Sequence, residues 1–261
     1  MRRLSLALVG LGGIGGTVLR ELREGRLREF YRLEVACDRH EEKLAEAERD
    51  FGCKTTDDVK DVIDHGADVI LEAASIEAAA ELLPEALETS SVVVMSTGVF
   101  AITPGLLEEC VDVAGDNGTM LVLPSGAIGG IDIIVALRDD VEEAVLTTRK
   151  PPESLGVEVD GEEVLFEGSV DRAVERFPRN VNVAATLATA LGDPDLLTVR
   201  VVADPKAECI THEIELKTDV GEYRIEVKNE PLPDVPRTSA LAAMSAVATL
   251  EKLASPLRVG T

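Results

Sequence analysis

The chain has 261 residues, 45% of them hydrophobic but only 3% aromatic and none Trp, so any core is built of Val, Leu, Ile and Ala, and disorder or collagen-like structure is excluded. Forty-nine acidic residues against 26 basic ones give a formal charge of −23, which repels a phosphate backbone, so no nucleic-acid partner is expected. The four cysteines and three histidines are scattered without metal-ligand or C-x-x-C spacing, so neither a disulfide framework nor a metal site is expected.

The apolar run Leu4–Val9 reads as a strand ending in Gly10, after which Ile14, Val18, Leu19 and Leu22 recur at helical spacing. The start Met1-Arg2-Arg3-Leu4 carries charge like a signal peptide, but the run reaches glycines too early for one, and no stretch approaches a membrane span. A reducing cytoplasm is therefore the expected location. Further strands are expected at Leu33–Cys37, Ala67–Glu72, Ser91–Ser96 and Thr119–Leu123. Helices are expected through Glu41–Asp50, near Asp57–Asp64, over Ile76–Glu88, and after Thr103 as N-cap with Pro104 at the first helical position. Five apolar strands alternating with helices predict a doubly wound parallel α/β sheet of the Rossmann type over residues 1–125.

The pattern changes at Ser125–Gly130. Strands are then expected at Ala144–Lys150, Val157–Phe166 with a hairpin turn at Asp160-Gly161, Leu197–Ala203, Glu208–Thr218 and Glu222–Lys228, with helices at Val170–Arg176 and Val181–Leu191. This reads as a second, α+β domain over residues 126–236. Pro231, Pro233 and Pro236 read as an extended link to a last helix, Ser239–Leu253, within residues 237–261, which is expected to pack back on the first domain.

Gly10-Leu11-Gly12-Gly13-Ile14-Gly15 satisfies G-x-G-x-x-G between a strand and a helix. Gly10 permits the tight turn, Gly12 lets the backbone approach a pyrophosphate and Gly15 allows close helix packing, while the helix start supplies amide donors. Asp38 ends the second strand, 23 positions beyond Gly15, where an acid hydrogen-bonds the adenosine ribose of NAD; the adjacent Arg39 suits the 2′-phosphate of NADP, so NAD is preferred and NADP is the second option. The plain structural alternative is that the pair only solvates a strand end.

Period-2 alternation places His212 with Ile210, Ile214 and Leu216 on an inward face. A histidine there either fills the core or transfers protons; the second role suits a dehydrogenase, because His40 and His65 fall within the nucleotide fold. Arg179-Asn180-Val181-Asn182 supplies amides before a helix, as caps or as ligands to a carboxamide or carboxylate. Ser125–Gly130 lies past the fifth strand, where open α/β sheets bind ligands, and also suits an interdomain hinge.

Together these segments resemble the L-aspartate dehydrogenase family. The likeness rests on Gly10–Gly15, Glu72-Ala73-Ala74-Ser75, Met95-Ser96-Thr97-Gly98, Ser125–Gly130 with Ile131-Asp132, Lys150-Pro151-Pro152, Phe177 through Ala185, and Thr211-His212-Glu213. The resemblance implies NAD(P)-dependent oxidation of L-aspartate to iminosuccinate, which feeds NAD synthesis or hydrolyses to oxaloacetate and ammonia. It further implies a homodimer, His212 as the active-site histidine, and Ala127 and Asn182 as cofactor contacts, with Gly13, Ile14, Ala74 and Ser75 included in the cofactor site. Alternatives are a dehydrogenase of another small dicarboxylate and a non-catalytic NAD(H) sensor. The excess of Arg over Lys, 18 to 8, with the acidic surface suggests a halophilic protein, and residues for the two substrate carboxylates are not assigned.

Overall fold

The computed structural model describes residues 2–177 and 181–259. Strands β1 (Leu4–Val9), β2 (Tyr31–Cys37), β3 (Lys54–Thr56), β4 (Val69–Glu72), β5 (Ser91–Val94) and β6 (Leu121–Val122) form one wholly parallel sheet in the order β3-β2-β1-β4-β5-β6. The expected fold class is found, with one strand more than the five expected. Strand β3 is three polar residues on an edge, too short and too hydrophilic to show as an apolar run.

The sheet is buried on both faces. Ala7, Val9, Ile70, Val92 and Val94 pack toward α3 (Val59–His65), α4 (Ile76–Leu82) and α6 (Leu106–Asn117). Leu6, Leu8, Leu71 and Val93 pack toward α1 (Gly13–Arg23) and α11 (Ala240–Ala254), the last helix, with α2 (Glu41–Phe51) flanking. Val247 and Leu250 of α11 are fully buried in that second layer, each contributing about 1.5–3 kcal/mol of apolar transfer energy. The Tyr31 hydroxyl donates to the Leu250 carbonyl at 2.7 Å. Helix α11 thus closes the dinucleotide-type sheet although nearly the whole chain separates it from α1.

Several local expectations need correction. The helix expected over Ile76–Glu88 ends at Leu82, and Pro84, which has no N–H to continue it, leads into a separate 3-10 turn at Glu85–Glu88. Thr103 and Pro104 do not open α6. Gly105, at φ +80°, is the N-cap, its left-handed backbone resetting the chain direction so that the helix starts at Leu106. Two short helices, α5 (Gly98–Ile102) and α7 (Ile131–Leu137), were not expected; both are nearly all apolar and too brief to show a period.

The second sheet has the order β11-β10-β7-β9-β8, from β7 (Val141–Lys150), β8 (Glu163–Gly168), β9 (Leu197–Ala203), β10 (Ile210–Thr218) and β11 (Gly221–Asn229). It is mixed: β7 runs parallel to β9 and antiparallel to β10. The hairpin expected at Asp160-Gly161 is absent, because Val157–Glu162 is not a strand and β8 finds its partner in β9 instead. The dipeptide makes only a bend after the short helix α8 (Pro152–Leu155). Helices α7, α9 (Val170–Arg176) and α10 (Val181–Leu191) cover one face of the sheet through a core that includes Ile134, Leu146, Leu187, Ile214 and Leu216. The proline-rich link is not merely extended: β12 (Pro231–Leu232) and β13 (Val235–Ser239) pair antiparallel, and Ser239 caps α11 by accepting from Ala242 N.

Candidate active site

In a parallel sheet of this order, the strand order reverses between β1 and β4, and the crevice beyond their carboxyl ends is where ligands bind. Gly10 sits there with φ +92°, donating its N–H to the Cys37 carbonyl at 2.8 Å, and a Cβ on it would meet the Ala73 carbonyl at 2.6 Å. A Cβ on Gly15 would lie 2.0 Å from the Gly10 carbonyl, so α1 approaches the turn only because that position is glycine. Gly12, by contrast, has no atom within 4 Å of a notional Cβ, and its bare backbone at the start of α1 faces open space. One glycine is therefore needed for the turn, another for packing, and the third leaves room for a ligand, which is the pattern a pyrophosphate requires. Gly13 packs against Thr238 of β13.

Asp38 is nearly buried at the end of β2. Its Oδ2 accepts from Leu11 N at 2.7 Å, and its Oδ1 accepts from His40 N at 3.0 Å and contacts the His40 ring at 2.6 Å. Burial opposes ionisation, but these donors and Lys43 hold the carboxyl below its ordinary range. Asp38 thus buttresses the glycine loop. Arg39 beside it is exposed.

Ala74 and Ser75 flank Gly10 but turn their N–H groups inward, to Glu72 Oε1 at 2.8 and 3.1 Å. Glu72 heads the segment Glu72-Ala73-Ala74-Ser75 of the family likeness, but no site role is assigned to it from the sequence. It is fully buried at the end of β4, and its carboxyl also accepts from Ser96 N and Ser96 Oγ, both at 2.9 Å, which ties together the loops after β4 and β5. Desolvation raises its pKa against the pull of those four donors. The signal for it was present: an acid closing the otherwise apolar run Val69–Glu72.

A cavity of about 270 Å³ lies between the two sheets, and it brings Ile14, Ala127, Asn182 and His212 together. Ala127 is held by Asn229 Nδ2, which donates to its carbonyl at 2.9 Å, and Asn229 Oδ1 accepts from Ser239 Oγ at the same distance. Asn182 Oδ1 accepts from Gly98 N at 2.9 Å while its carbonyl accepts from Thr97 Oγ1 at 2.8 Å, joining α10 to the start of α5. Arg179 and Asn180 lie outside the described residues. Ser125, Gly126 and Ala127 of the segment Ser125–Gly130 line the cavity, and Gly130, at φ +73°, opens α7 against Ile225.

His212 is inward on β10 as alternation requires, and its register partner on β7 is Thr148. Thr148 Oγ1 lies 3.0 Å from His212 Nδ1, fixing the ring and leaving Nε2 for the cavity. Burial, with Lys150 nearby, lowers its pKa to about 4, so the imidazole is neutral at neutral pH. His40 and His65 are engaged elsewhere, by Asp38 and Glu34. Lys150, which belongs to the Lys150-Pro151-Pro152 segment of the family likeness but has no role assigned from the sequence, lies two residues beyond Thr148 and is buried on the same face of β7. Its signal was a lysine at the inward phase of Leu146, Thr148 and Lys150.

Comparisons with known proteins identify the family. Residues 10–124 match the family model described as homoserine dehydrogenase, NAD binding domain, and residues 132–253 match aspartate dehydrogenase, C-terminal. The chain is 53% identical to an L-aspartate dehydrogenase of Methanopyrus kandleri over all of both chains, and 36% identical to that of Methanocaldococcus jannaschii over 99% of this chain and 100% of that one. The crystal structure of aspartate dehydrogenase from Thermotoga maritima superposes with a TM-score of 0.81 at 30% identity, over 99% of this chain and all of that one. The fold, the glycine turn and the inward histidine therefore sit in a chain that belongs to the L-aspartate dehydrogenase family.

Proposed function

We propose that the protein is an NAD(P)-dependent L-aspartate dehydrogenase, and that Gly10, Gly12, Gly13, Ile14 and Gly15 with the start of α1 hold the pyrophosphate, Asp38 and Arg39 the adenosine ribose, and Ala127 and Asn182 the nicotinamide end. The observation that carries this reading is the cavity in which Ile14 of the glycine loop and His212 of the second sheet meet. The dinucleotide, held by these residues, would supply the acceptor for the hydride of the substrate Cα. The residues of the chain supply the rest by positioning and by electrostatics.

The substrate amine must be unprotonated before its Cα–H bond can break. With His212 Nδ1 donating to Thr148, Nε2 carries the lone pair that accepts a proton from the amino group, and the low basicity of the buried ring suits relay rather than storage of that proton. Glu72 keeps the loops after β4 and β5 in place around the turn, and Asn182 braces α10 against α5. Iminosuccinate leaves as product, and water converts it to oxaloacetate and ammonia.

The finer assignments belong to the same reading: a cytoplasmic homodimer, a dinucleotide-binding unit over residues 1–125 completed by the last helix, and a catalytic unit over 126–236. The sheet face opposite α7, α9 and α10 is a surface available for pairing of two copies, and light scattering on the purified protein measures that state. No helix among the described residues is long and apolar enough to cross a membrane. The deciding assay follows NAD(P)H formation with L-aspartate, L-malate and L-glutamate at low and multimolar salt. Turnover of aspartate alone supports the assignment; turnover of malate without aspartate overturns it.

A further inference from the structure

We propose that Lys150 is the cation that receives a carboxylate of the substrate, beside His212, and so sets the preference of this site for an acidic amino acid. The inference rests on the aspartate dehydrogenase reading above and names a substrate contact within it.

The first observation is charge composition. Acidic residues number 49 of 261, so a lining the size of this cavity's would at the chain's average hold about three carboxylates. Among the described lining residues it holds none, and the one formal charge among them is the Lys150 ammonium. A substrate with two carboxylates and one ammonium is a net anion, repelled at long range by a protein of charge −23, so its binding requires a local positive well. Lys150 supplies one within the cavity.

The second observation is placement. Lys150 is the only lysine or arginine that is buried among the described side chains. Strand alternation sends its neighbour Arg149 to the opposite face, where Glu162 and Asp204 engage it at 2.6 and 3.2 Å, and turns Lys150 toward Thr148 and His212. The backbone there is fixed: β7 is the central strand of its sheet, Lys150 pairs with Ala203 of β9, and its carbonyl accepts from Asp204 N at 3.0 Å. A charge mounted on a rigid strand beside the proton-handling group positions a substrate rather than merely attracting it. Burial lowers the Lys150 pKa to about 8, so the ammonium is poorly hydrated and gains from meeting an anion.

The test uses the full-length protein with Lys150→Met and Lys150→Arg. Steady-state kinetics at saturating coenzyme separate KM from kcat for L-aspartate, NADH binding is followed by the nucleotide's own fluorescence, and binding of succinate, which has both carboxylates and no amine, is followed by thermal shift in the presence of NADH. The expected result for Lys150→Met is a rise in KM of about 10²-fold or more with loss of the succinate shift, and NADH affinity within about twofold of wild type. Lys150→Arg, which keeps the charge, should recover part of both. The proposal is overturned if Lys150→Met lowers kcat while KM and the succinate shift persist, since Lys150 would then carry protons. It is equally overturned if NADH affinity falls in step, which would make the residue part of the dinucleotide site. Failure of the wild-type protein to oxidise L-aspartate would instead refute the parent reading, and the succinate arm does not depend on turnover.

Discussion

Replacing His212 with Asn separates proton handling from packing, because the Asn amide reaches the position of Nδ1 and keeps a partner for Thr148 while Nε2 disappears. The lost ring atoms leave a small void in a buried site, which costs about 1–2 kcal/mol. For a chain of this length that lowers Tm by about 2–8 °C. If Nε2 relays the amino proton, kcat falls by about 10²–10⁴-fold, a barrier increase of about 3–5 kcal/mol, with NADH affinity retained. The pH dependence gives a second reading. The folded pKa of His212 is about 4 against 6.5 for the free side chain, so below pH 6.5 the unfolded chain takes up a proton that the folded one refuses until about pH 4. Wild type therefore loses up to about 3 kcal/mol between those limits that the Asn variant does not lose, and the gap in Tm between them narrows or inverts as pH falls from 7 to 4. Stopped-flow turnover, NADH titration and melting curves across that range check each part. Near-normal kcat in His212→Asn with only a lower Tm would refute the proton relay, and a Tm gap independent of pH would refute the buried neutral ring.

Gly12→Ala meets no atom within 4 Å and should leave Tm within a few degrees of wild type while abolishing measurable NADH binding, whereas Gly15→Ala, whose Cβ falls 2.0 Å from the Gly10 carbonyl, should lower Tm itself; NADH binding by Gly12→Ala would place the pyrophosphate elsewhere. Asp38→Asn keeps an acceptor for Leu11 N but removes the charge that repels a 2′-phosphate, so the ratio of NADP to NAD affinity should rise about tenfold; an unchanged ratio would limit Asp38 to bracing the loop. Lys150 has a folded pKa of about 8 against 10.5 unfolded, so its charge costs about 3 kcal/mol below pH 8 and nothing above pH 10.5. Lys150→Met should therefore melt above wild type at pH 7 with the gap closing as pH rises through that window, and a lower melt at pH 7 would contradict this. Added KCl should raise Tm by screening the net charge of −23, and a midpoint unchanged between low and molar salt would remove the halophilic reading.

What the sequence determined by itself was everything carried by local pattern. The apolar run before Gly10 and the glycine spacing specify strand, turn and helix within about twenty residues, and period-2 alternation puts His212 inward on β10. Edges and short pieces escaped: β3 has no apolar run, and Asp160-Gly161 carries a hairpin signal that depends on a partner strand which pairs elsewhere. The composition of the site belonged to tertiary structure. Alternation makes Lys150 inward, but whether that face meets packed side chains or a cavity is decided by how β10, α10 and the loop at Ser125–Gly130 dock around it. Glu72 likewise reads as the end of a strand until the loops carrying Ala74, Ser75 and Ser96 fold over its carboxyl. The return of α11 to α1 joins residues more than two hundred positions apart. The period of a segment encodes which side is buried, because burial acts on each side chain locally, while the identity of what lies opposite depends on contacts between distant segments that exist only once the two sheets have packed.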